Sequence, residues 1–494
     1  MPLRICFVAS EVTPLAKTGG LADVAGALVK SLHALGHDVR LFMPLYRQVN
    51  RRALRLWPVE FLRDVTLRLG NHTLRYSVQT CQLPGSGAMI YLIDAPALFE
   101  RDALYGNAPD EHLRFLLLTH AALQCCQRMG FAPQVFHCND WHTGLGPLLL
   151  RTMYRWDKLF EHTRSLLSIH NIAYQGPFDA RVLPETGLAE LTSLLDAGEL
   201  ARGRVNPLRE GIRHADHIST VSPTYAREIQ TPQYGYGLDG DLRARGDAIT
   251  GILNGVDYAE WDPRHDRFLP KRYNASRLSV KAELKREFMQ RNGLGGAASR
   301  ERIPLLGMVS RLAAQKGFDL LIDALPLLLQ EHEFHCAMLG SGEARYERFF
   351  TQLARRYPAR VAFRQGYSEE QAHWIEAASD LFLMPSLYEP CGLNQMYSLR
   401  YGTIPIVRRT GGLADSVQHF DPVSREGTGV VFNDYDAGGV RWGVGTAIQW
   451  YRNKALWRQL MKNAMAQDFS WEHQVEEYVA LYERLVEGAG ESDR

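Results

Sequence analysis

The chain has 494 residues, too many for one ordinary hydrophobic core, so two large domains are predicted. Hydrophobic residues make up 46% of it and charged residues 22%, a composition that excludes a disordered or fibrous protein. The formal net charge of +1 argues against nucleic acid as the main partner and against a membrane role driven by surface charge.

The seven cysteines are scattered along the chain without any CxxC spacing. This pattern predicts reduced thiols, with neither a disulfide framework nor a structural zinc site. The first ten residues, MPLRICFVAS, lack an apolar run followed by a small-residue cleavage site, and no apolar stretch reaches the roughly 20 residues that span a bilayer. A cytoplasmic protein with no membrane partner is expected.

The chain begins with a predicted strand, helix and strand. Residues 4–9 form an apolar run, Leu21 and Leu28 follow at helical spacing, and residues 39–43 are again apolar. Gly36 is placed to end the helix. Such a crossover predicts a parallel sheet. Further buried strands in the first half are predicted at residues 135–137, 166–170 and 217–221, and the stretch of residues 178–204 is predicted to be helical.

The second half repeats this alternation after a turn at Asn254-Gly255, where the domain connection is predicted. Two successive βα domains predict an α/β protein with two doubly wound sheets that face a cleft. The predicted domains are residues 1–250, residues 251–465, and a C-terminal helical segment, residues 466–494, that packs back on the first domain. Strands of the second half are predicted at residues 304–310, 335–339, 360–364, 381–385, 404–407 and 430–432.

The sequence TGGLAD occurs twice, at residues 18–23 and at residues 410–415. Each copy lies between a predicted strand and a predicted helix, one in each half of the chain. Paired glycines at a helix N-terminus offer free N–H groups and a helix dipole that favour an anion. The simpler interpretation is two tight turns that require glycine.

Several chemically versatile residues closely follow predicted strands. In open parallel sheets ligands bind beyond the carboxyl ends of the strands, so these positions predict a site. The residues are Lys17, Asp140, His170, Arg311, Lys316 and Glu389.

Arg311 and Lys316 lie five residues apart in SRLAAQKG. When a sugar nucleotide loses its sugar, negative charge grows on the departing diphosphate, and two fixed cations stabilise it without a metal. Glu389, in PSLYEPCGLNQ, is suited to face the positive charge of an oxocarbenium-like transition state. The alternatives are ordinary surface cations and a carboxylate that favours a helix start.

His170 and Asp140 are candidates for binding sugar hydroxyls. The alternatives are a hydrogen-bonded core histidine and a helix-capping aspartate. His137, Cys138, Asp140 and His142 have no spacing typical of zinc ligands. The DxD pattern at residues 434–436 follows a strand, so a capping role is predicted for it instead of metal binding.

Together these segments resemble bacterial glycogen synthases and plant starch synthases over nearly the whole chain. The resemblance is carried by an ordered set of motifs. They are KTGGLADV at residues 17–24, HCNDWHTG at 137–144, HNIAYQG at 170–176, NGVD at 254–257, SRLAAQKG at 310–317, PSLYEPCGLNQ at 385–395 and RTGGLADSV at 409–417.

The resemblance implies a GT-B architecture of two Rossmann-like domains facing a deep cleft. It further implies retention of anomeric configuration, ADP-glucose as donor, the non-reducing end of an α-1,4-glucan as acceptor, and no cofactor or metal. Departure of the diphosphate on the face that the acceptor attacks and a short-lived covalent intermediate both remain compatible with the sequence.

The resemblance also implies residue roles. Lys17 would approach the donor diphosphate, which Arg311 and Lys316 would hold, and Glu389 would lie under the anomeric carbon. Asp140 and His170 would line the glucose and acceptor side. Gly411 and Gly412 would supply backbone donors to phosphate, and Tyr367 would lie near the base. The remaining implied substrate contacts are Gly20, Asn254, Cys391, Gly392, Leu393 and Thr410.

Two positions depart from the family pattern, and three other interpretations stay open. Asn394 and Ser398 stand where threonine and a smaller residue are expected, which bears on the donor loop. One alternative is a related transferase with another nucleotide sugar or acceptor. Another is a phosphorylase-like enzyme that requires pyridoxal phosphate. The third is a non-catalytic glucan-binding protein, which would not need the full charged set.

Overall fold

The computed structural model describes residues 2–296 and 302–492, and the chain divides into two compact units. The first unit comprises the chain up to Val221, Ala226–Gly255 and the segment from Trp471 onward. The second comprises Ser222–Tyr225 and Val256–Ser470. The main crossings of the chain between the two units thus come after residue 255 and after residue 470. The sequence predicted these boundaries after residues 250 and 465. Within the described residues, no helix combines the length and apolarity needed to cross a membrane.

The first unit is built on a mixed sheet whose central part is parallel. Its strand order is β12-β11-β8-β7-β1-β2-β6-β5-β3, with β4 paired to β5. The strands are β1 (Arg4–Val8), β2 (Asp38–Pro44), β3 (Trp57–Pro58), β4 (Val65–Leu69), β5 (His72–Gln82), β6 (Met89–Asp94), β7 (Val135–Asn139), β8 (Arg164–Ile169), β9 (Phe178–Asp179), β10 (Arg204–Val205), β11 (His217–Thr220) and β12 (Ile249–Gly251).

The parallel order places the switch point of the first sheet between β1 and β7. From β1 the chain builds outward through β2 and β6, then returns to β7, β8, β11 and β12 on the other side. Ligands of doubly wound sheets bind at this reversal, beyond the carboxyl ends of the strands. At the far edge β5 pairs antiparallel with β6, and β3 and β4 pair antiparallel with β5.

Helices lie between the strands of this sheet along the chain. In the first helix the residues at helical spacing, Leu21 and Leu28, are buried, and Gly36 (φ +88°) follows the helix end as predicted. The helices are α1 (Gly20–Ala34), α2 (Pro96–Phe99), α3 (Glu111–Met129), α4 (Gly146–Arg151), α5 (Leu183–Thr186), α6 (Ala197–Ala201), α7 (Pro207–His214), α8 (Pro223–Glu228) and α9 (Asp239–Ala244).

The stretch predicted to be helical, residues 178–204, does not form one continuous helix. The segment forms short helical turns, including α5 and α6, and its ends pair as the antiparallel strands β9 and β10. Gly187 and Gly203 adopt positive φ (+76° and +74°), and such left-handed residues end helices. The glycines therefore decide the local structure over the helical spacing of the apolar residues.

The second unit contains a parallel sheet in the order β15-β14-β13-β16-β17-β18. This is the Rossmann order, with its switch point between β13 and β16. The strands are β13 (Leu305–Val309), β14 (His335–Gly340), β15 (Val361–Gln365), β16 (Leu381–Met384), β17 (Ile404–Arg408) and β18 (Val430–Phe432). The helices are α10 (Ser279–Arg291), α11 (Phe318–Glu331), α12 (Ala344–Arg356), α13 (Glu369–Ala378), α14 (Asn394–Tyr401), α15 (Gly411–Ser416), α16 (Ala437–Arg452) and α17 (Lys454–Met465).

Side chains cap two helix starts of the second unit, and the cap at the DxD pattern confirms the prediction made for it. The Ser368 hydroxyl accepts a hydrogen bond from the Gln371 N–H (3.3 Å) at the start of α13. Asp436 of the DxD pattern likewise accepts from the Gly439 N–H (2.7 Å) and caps α16.

The last helix, α18 (Trp471–Ser492), belongs to the first unit. It packs on α1, β7 and β8. Tyr482 places its hydroxyl 2.8 Å from Nδ1 of His137, whose Nε2 lies 2.6 Å from the Ser168 hydroxyl. His137 is therefore a hydrogen-bonded core residue, which agrees with the rejection of a zinc cluster in its motif.

Candidate active site

The first switch point is organised by Asp140, directly after β7. Its backbone adopts positive φ (+51°), which is uncommon for a residue with a side chain. Its N–H donates to the Ser168 carbonyl (2.8 Å), and its Oδ1 accepts from the backbone N–H groups of His170 (2.7 Å) and Asn171 (3.4 Å). The carboxyl group thus joins the ends of β7 and β8, and this constraint offsets the unfavourable backbone conformation.

Burial sets the charge state of both residues predicted here. It raises the pKa of Asp140 to about 7 and lowers the pKa of His170 to about 3. At neutral pH the imidazole is therefore neutral, and a large fraction of the carboxyl group is protonated. The end of this sheet presents polar groups that are suited to hydroxyls and carry little charge.

The tautomer of His170 follows from its neighbour Asn139. The Asn139 amide N–H donates to the Val8 carbonyl (3.0 Å), so its Oδ1 is the acceptor that lies 2.9 Å from His170 Nε2. Nε2 therefore carries the proton, and Nδ1 bears the lone pair. No described residue hydrogen-bonds this buried Nδ1, which can accept from a sugar hydroxyl.

The loop after β1 carries the first TGGLAD copy. Lys17 Nζ lies 2.7 Å from Asp23, and its side chain is 52% exposed. The Glu11 carboxylate accepts from the backbone N–H groups of Thr18 and Gly19 and from the Thr18 hydroxyl (2.9 Å). The anion at this helix start is thus a side chain of the protein, and burial raises its pKa. Sequence analysis did not identify Glu11, although it directly follows the β1 segment.

The second switch point contains an ion pair. Lys316 Nζ lies 2.6 Å from Oε2 of Glu389, which also accepts from the Ser386 hydroxyl (3.1 Å). Glu389 is buried and the Lys316 side chain is 20% exposed. Gly317 (φ +75°) makes the approach possible, because a Cβ there would lie 2.1 Å from the Pro385 carbonyl oxygen. Residues 73 apart in the chain, Lys316 and Glu389, are thereby brought together.

The loop that carries Glu389 is held by side chains from neighbouring segments. Arg408 Nη1 donates to the Leu387 carbonyl (2.7 Å), and Gln315 donates to the Tyr388 carbonyl (3.2 Å). Gln395, in the first turn of α14, donates to the carbonyls of Cys391 (3.1 Å) and Gly392 (3.0 Å). The non-helical segment is therefore fixed by its backbone carbonyls, which keeps the carboxylate in place.

The second TGGLAD copy packs directly on this loop. A Cβ at Gly411 (φ +43°) would lie 1.9 Å from the Glu389 carbonyl oxygen, and one at Gly412 would lie 2.2 Å from the Cys391 carbonyl oxygen. The Gly412 N–H donates to the carbonyls of Glu389 and Pro390 (both 3.1 Å). The glycines thus allow two backbone segments to touch, and the Gly412 N–H is used within the protein.

The other predicted residues occupy varied places in their own units. Arg311 is exposed after β13, and no described residue in its unit forms an ion pair with it. Tyr367 is 74% exposed, between β15 and α13. Asn254 is buried at the crossing that follows β12, and Gly20 begins α1. Cys391 and Thr410 are buried, while Gly392 (φ +74°) and Leu393 lead into α14.

Sequence comparisons cover both units. Residues 4–244 match the starch synthase catalytic domain family, and residues 296–464 match the glycosyl transferases group 1 family. The chain is 43% identical to a glycogen synthase of Koribacter versatilis over 98% of both chains. It is 45% identical to one of Anaeromyxobacter sp. (98% of this chain, 100% of the relative) and 40% identical to one of Thermotoga maritima (99% and 100%).

Structural comparisons extend this likeness. The catalytic domain of starch synthase IV from Arabidopsis thaliana, solved with ADP and acarbose bound, is 33% identical and superposes with a TM-score of 0.89 over 99% of this chain and 100% of that one. Sucrose-phosphate synthase from Thermosynechococcus elongatus, at 17% identity and a TM-score of 0.60 over 98% and 99%, shares the fold. Both domains therefore have the Rossmann-type architecture of the GT-B class.

Proposed function

The chain belongs to the glycogen and starch synthase family of glycosyltransferases, and on this premise we propose that it transfers glucose from ADP-glucose, with retention of configuration, to the 4-hydroxyl at a non-reducing end of an α-1,4-glucan. The observation that carries the proposal is the Lys316–Glu389 ion pair at the second switch point. It supplies one group for each charge that develops when a glycosyl diphosphate breaks.

The leaving diphosphate is stabilised by cations of the second unit. Lys316 follows β13 in a single helical turn, and Arg311 lies in the same loop with its guanidinium exposed. As the bond from anomeric carbon to phosphate oxygen breaks, charge on the β-phosphate grows, and fixed cations stabilise it more than they stabilise the bound donor. An arginine can engage two phosphate oxygens with its planar fork, whereas a lysine acts as a point charge.

Glu389 faces the opposite charge. Its carboxylate is buried and held by Lys316 and Ser386, so it requires no reorganisation when the sugar becomes cationic. In the proposed step the diphosphate leaves on the face that the acceptor hydroxyl attacks. The acceptor oxygen bonds to the anomeric carbon, and its proton passes to the departing phosphate oxygen. The configuration is retained without a nucleophilic side chain.

The first unit supplies hydroxyl recognition. His170 offers a neutral Nδ1 acceptor, and Asp140, whose pKa burial raises to about 7, offers a partly protonated carboxyl group at the same sheet edge. Neutral partners suit a sugar because they bind hydroxyls without adding charge beside the departing anion. We propose that these two residues orient glucose or the acceptor end, and that Lys17 approaches the donor diphosphate.

Two observations on relatives support the choice of donor and acceptor. The Arabidopsis starch synthase IV structure carries ADP and acarbose, and the bacterial relatives are glycogen synthases. A panel of ADP-, UDP- and GDP-glucose with glycogen as acceptor tests the proposal. We expect radiolabelled glucose to enter glycogen from ADP-glucose with α-1,4 linkage. Transfer mainly from another nucleotide sugar, or to another acceptor, would contradict it.

The role of Glu389 has its own test. Glu389→Gln keeps the shape but removes the charge, so we expect kcat to fall by at least about 1,000-fold while ADP-glucose binding stays measurable. Glu370→Gln, which neutralises an exposed carboxylate in the same unit, is the matched control and should leave turnover unchanged. Near-normal turnover of Glu389→Gln would remove this residue from the mechanism.

A further inference from the structure

A second cluster of titratable side chains in the second unit takes no part in the proposed reaction. It joins Glu260, just after the crossing from the first unit, to Glu369 and His373 of α13. Glu369 and His373 are four residues apart, so they project from the same helix face. One ligand atom of each of the three side chains lies within 4.8 Å of those of the other two.

The histidine of this cluster has the environment of a metal ligand. His373 is 0% exposed, and its Nδ1 lies 2.8 Å from the Asp266 carboxylate, which also accepts from the Tyr401 hydroxyl (2.6 Å). Nδ1 therefore carries the proton and donates to Asp266, leaving the lone pair on Nε2. No described residue hydrogen-bonds the buried Nε2. A carboxylate that orients the far nitrogen is the usual second partner of metal-ligating histidines.

The ring is also held in a fixed plane. The Trp261 indole stacks on the His373 imidazole at 3.7 Å between ring centroids, with an interplanar angle of 13°, and stacks on Tyr397 at 4.0 Å. Because Trp261 directly follows Glu260, the same short segment supplies one carboxylate and fixes the orientation of the imidazole. A metal-binding geometry is thus partly organised before any ion arrives.

From this geometry we propose that Glu260, Glu369 and His373 Nε2 bind a divalent cation of the zinc class. Two carboxylates and one imidazole suit Zn²⁺, whereas Mg²⁺ prefers oxygen ligands and an octahedral shell. Three protein ligands leave a fourth position for water. A tetrahedral Zn²⁺ with bonds of about 2.0–2.1 Å places its ligands roughly 3.3 Å apart. The flexible glutamates can close that distance without moving His373.

The charges of the cluster favour a cation. The carboxylates of Glu260 and Glu369 lie within 4.8 Å of each other, and two ionised carboxylates that close together repel. Arg267 Nη2 lies 3.1 Å from Oε1 of Glu369 and offsets only part of the negative charge. A divalent ion offsets the remaining repulsion and ties the segment after the crossing to α13. Sequence analysis missed the cluster because Glu260 lies more than a hundred residues before Glu369 and His373 in the chain.

The test is a calorimetric titration of the chelator-treated, full-length protein with Zn²⁺. The wild type should bind Zn²⁺ at this site and unfold at a higher temperature when it is present. Glu260→Gln and Glu369→Gln should each weaken binding by at least about tenfold and reduce the thermal shift. Glu370→Gln, the exposed neighbour of Glu369, should behave as the wild type. A parallel Mg²⁺ titration should show no binding that depends on these glutamates.

Three results would overturn the proposal. One is the absence of Zn²⁺ binding to the wild type, and another is equal binding by all four proteins, which would place the ion elsewhere. The third is an Mg²⁺ affinity equal to that for Zn²⁺. Circular dichroism of each variant establishes that it is folded. None of these measurements uses glucose transfer, so the result does not depend on the proposed function.

Discussion

The two TGGLAD segments have the same six residues, yet they meet different surroundings. In the first copy, Cβ atoms added at Gly19 and Gly20 meet nothing closer than 3.5 Å, and the N–H groups of residues 18 and 19 bind the Glu11 carboxylate. In the second copy, added Cβ atoms at Gly411 and Gly412 would overlap the backbone of the Glu389 loop. One copy is an open helix start, and the other is a wedge against the Glu389 loop.

A similar contrast separates two carboxylates, Asp140 after β7 and Glu389 after β16. These two strands lie on the equivalent side of the switch point in their sheets. Asp140 binds backbone N–H groups, and burial raises its pKa to about 7. Glu389 is paired with Lys316. Related positions in the two folds therefore carry a weakly charged group in one unit and an ion pair in the other. The surroundings decide the chemistry of each position, and five substitutions test how far this difference extends.

Gly411→Ala should have the largest effect. Its Cβ would lie 1.9 Å from the Glu389 carbonyl oxygen at φ +43°, so the loop must move by more than 1 Å. We expect kcat to fall by at least about 1,000-fold, since misplacing a catalytic group by ~1 Å already costs roughly 100-fold. Steady-state kinetics with ADP-glucose and glycogen measure the change. If the variant kept more than a tenth of the activity, the close packing of Gly411 on the Glu389 loop would not be required for turnover.

Lys316→Ala and Lys17→Ala compare the two lysines. Loss of Lys316 leaves Glu389 without its cation and removes a positive charge that stabilises the leaving diphosphate. We therefore expect kcat/KM to fall by about 30- to 1,000-fold, which corresponds to roughly 2–4 kcal/mol. The half-exposed Lys17–Asp23 pair contributes little to stability, so Lys17→Ala should change the free energy of unfolding by less than about 1 kcal/mol. Steady-state kinetics measure the fall in kcat/KM, and urea denaturation measures the free energy of unfolding of both variants. Equal destabilisation by the two would contradict the difference in burial.

Asp140→Asn should change how stability depends on pH. Because folding raises this pKa from 3.8 to about 7, the folded state binds more protons than the unfolded state between those values. The contribution of Asp140 to the free energy of unfolding is therefore greatest below about pH 4. It falls by on the order of 1 kcal/mol per pH unit as the pH rises, and it levels off above about pH 7. The asparagine variant should lack this slope. Urea unfolding across that range, with the exposed Asp434→Asn as control, measures it.

Gly20→Ala should have the smallest effect on folding. No heavy atom lies within 4 Å of the added Cβ, and alanine suits a helix better than glycine. The free energy of unfolding should stay unchanged or rise by up to about 1 kcal/mol. Thermal and urea unfolding beside Gly411→Ala provide the comparison. A loss of stability as large as that of Gly411→Ala would mean that both copies serve as wedges.

The fold was largely predictable because its parallel strands are buried on both faces. Runs such as residues 135–139 and 335–340 are continuously buried, and every predicted strand is present. The antiparallel edge was missed because β4 and β5 alternate between buried and exposed residues and do not form an apolar run. The stretch predicted to be helical, residues 178–204, is divided into short helical turns by its glycines.

The sequence by itself determined the two βα domains, the family, and the positions after strands where polar residues gather. Local periodicity and turn chemistry act within a few residues, so they can be read along the chain. Tertiary structure alone decided that Glu11 binds the first glycine loop, that Lys316 pairs with Glu389, that Asp140 titrates near neutrality, and that Glu260 meets His373. Each of these depends on burial or on a partner distant in sequence, and local composition does not encode such partners.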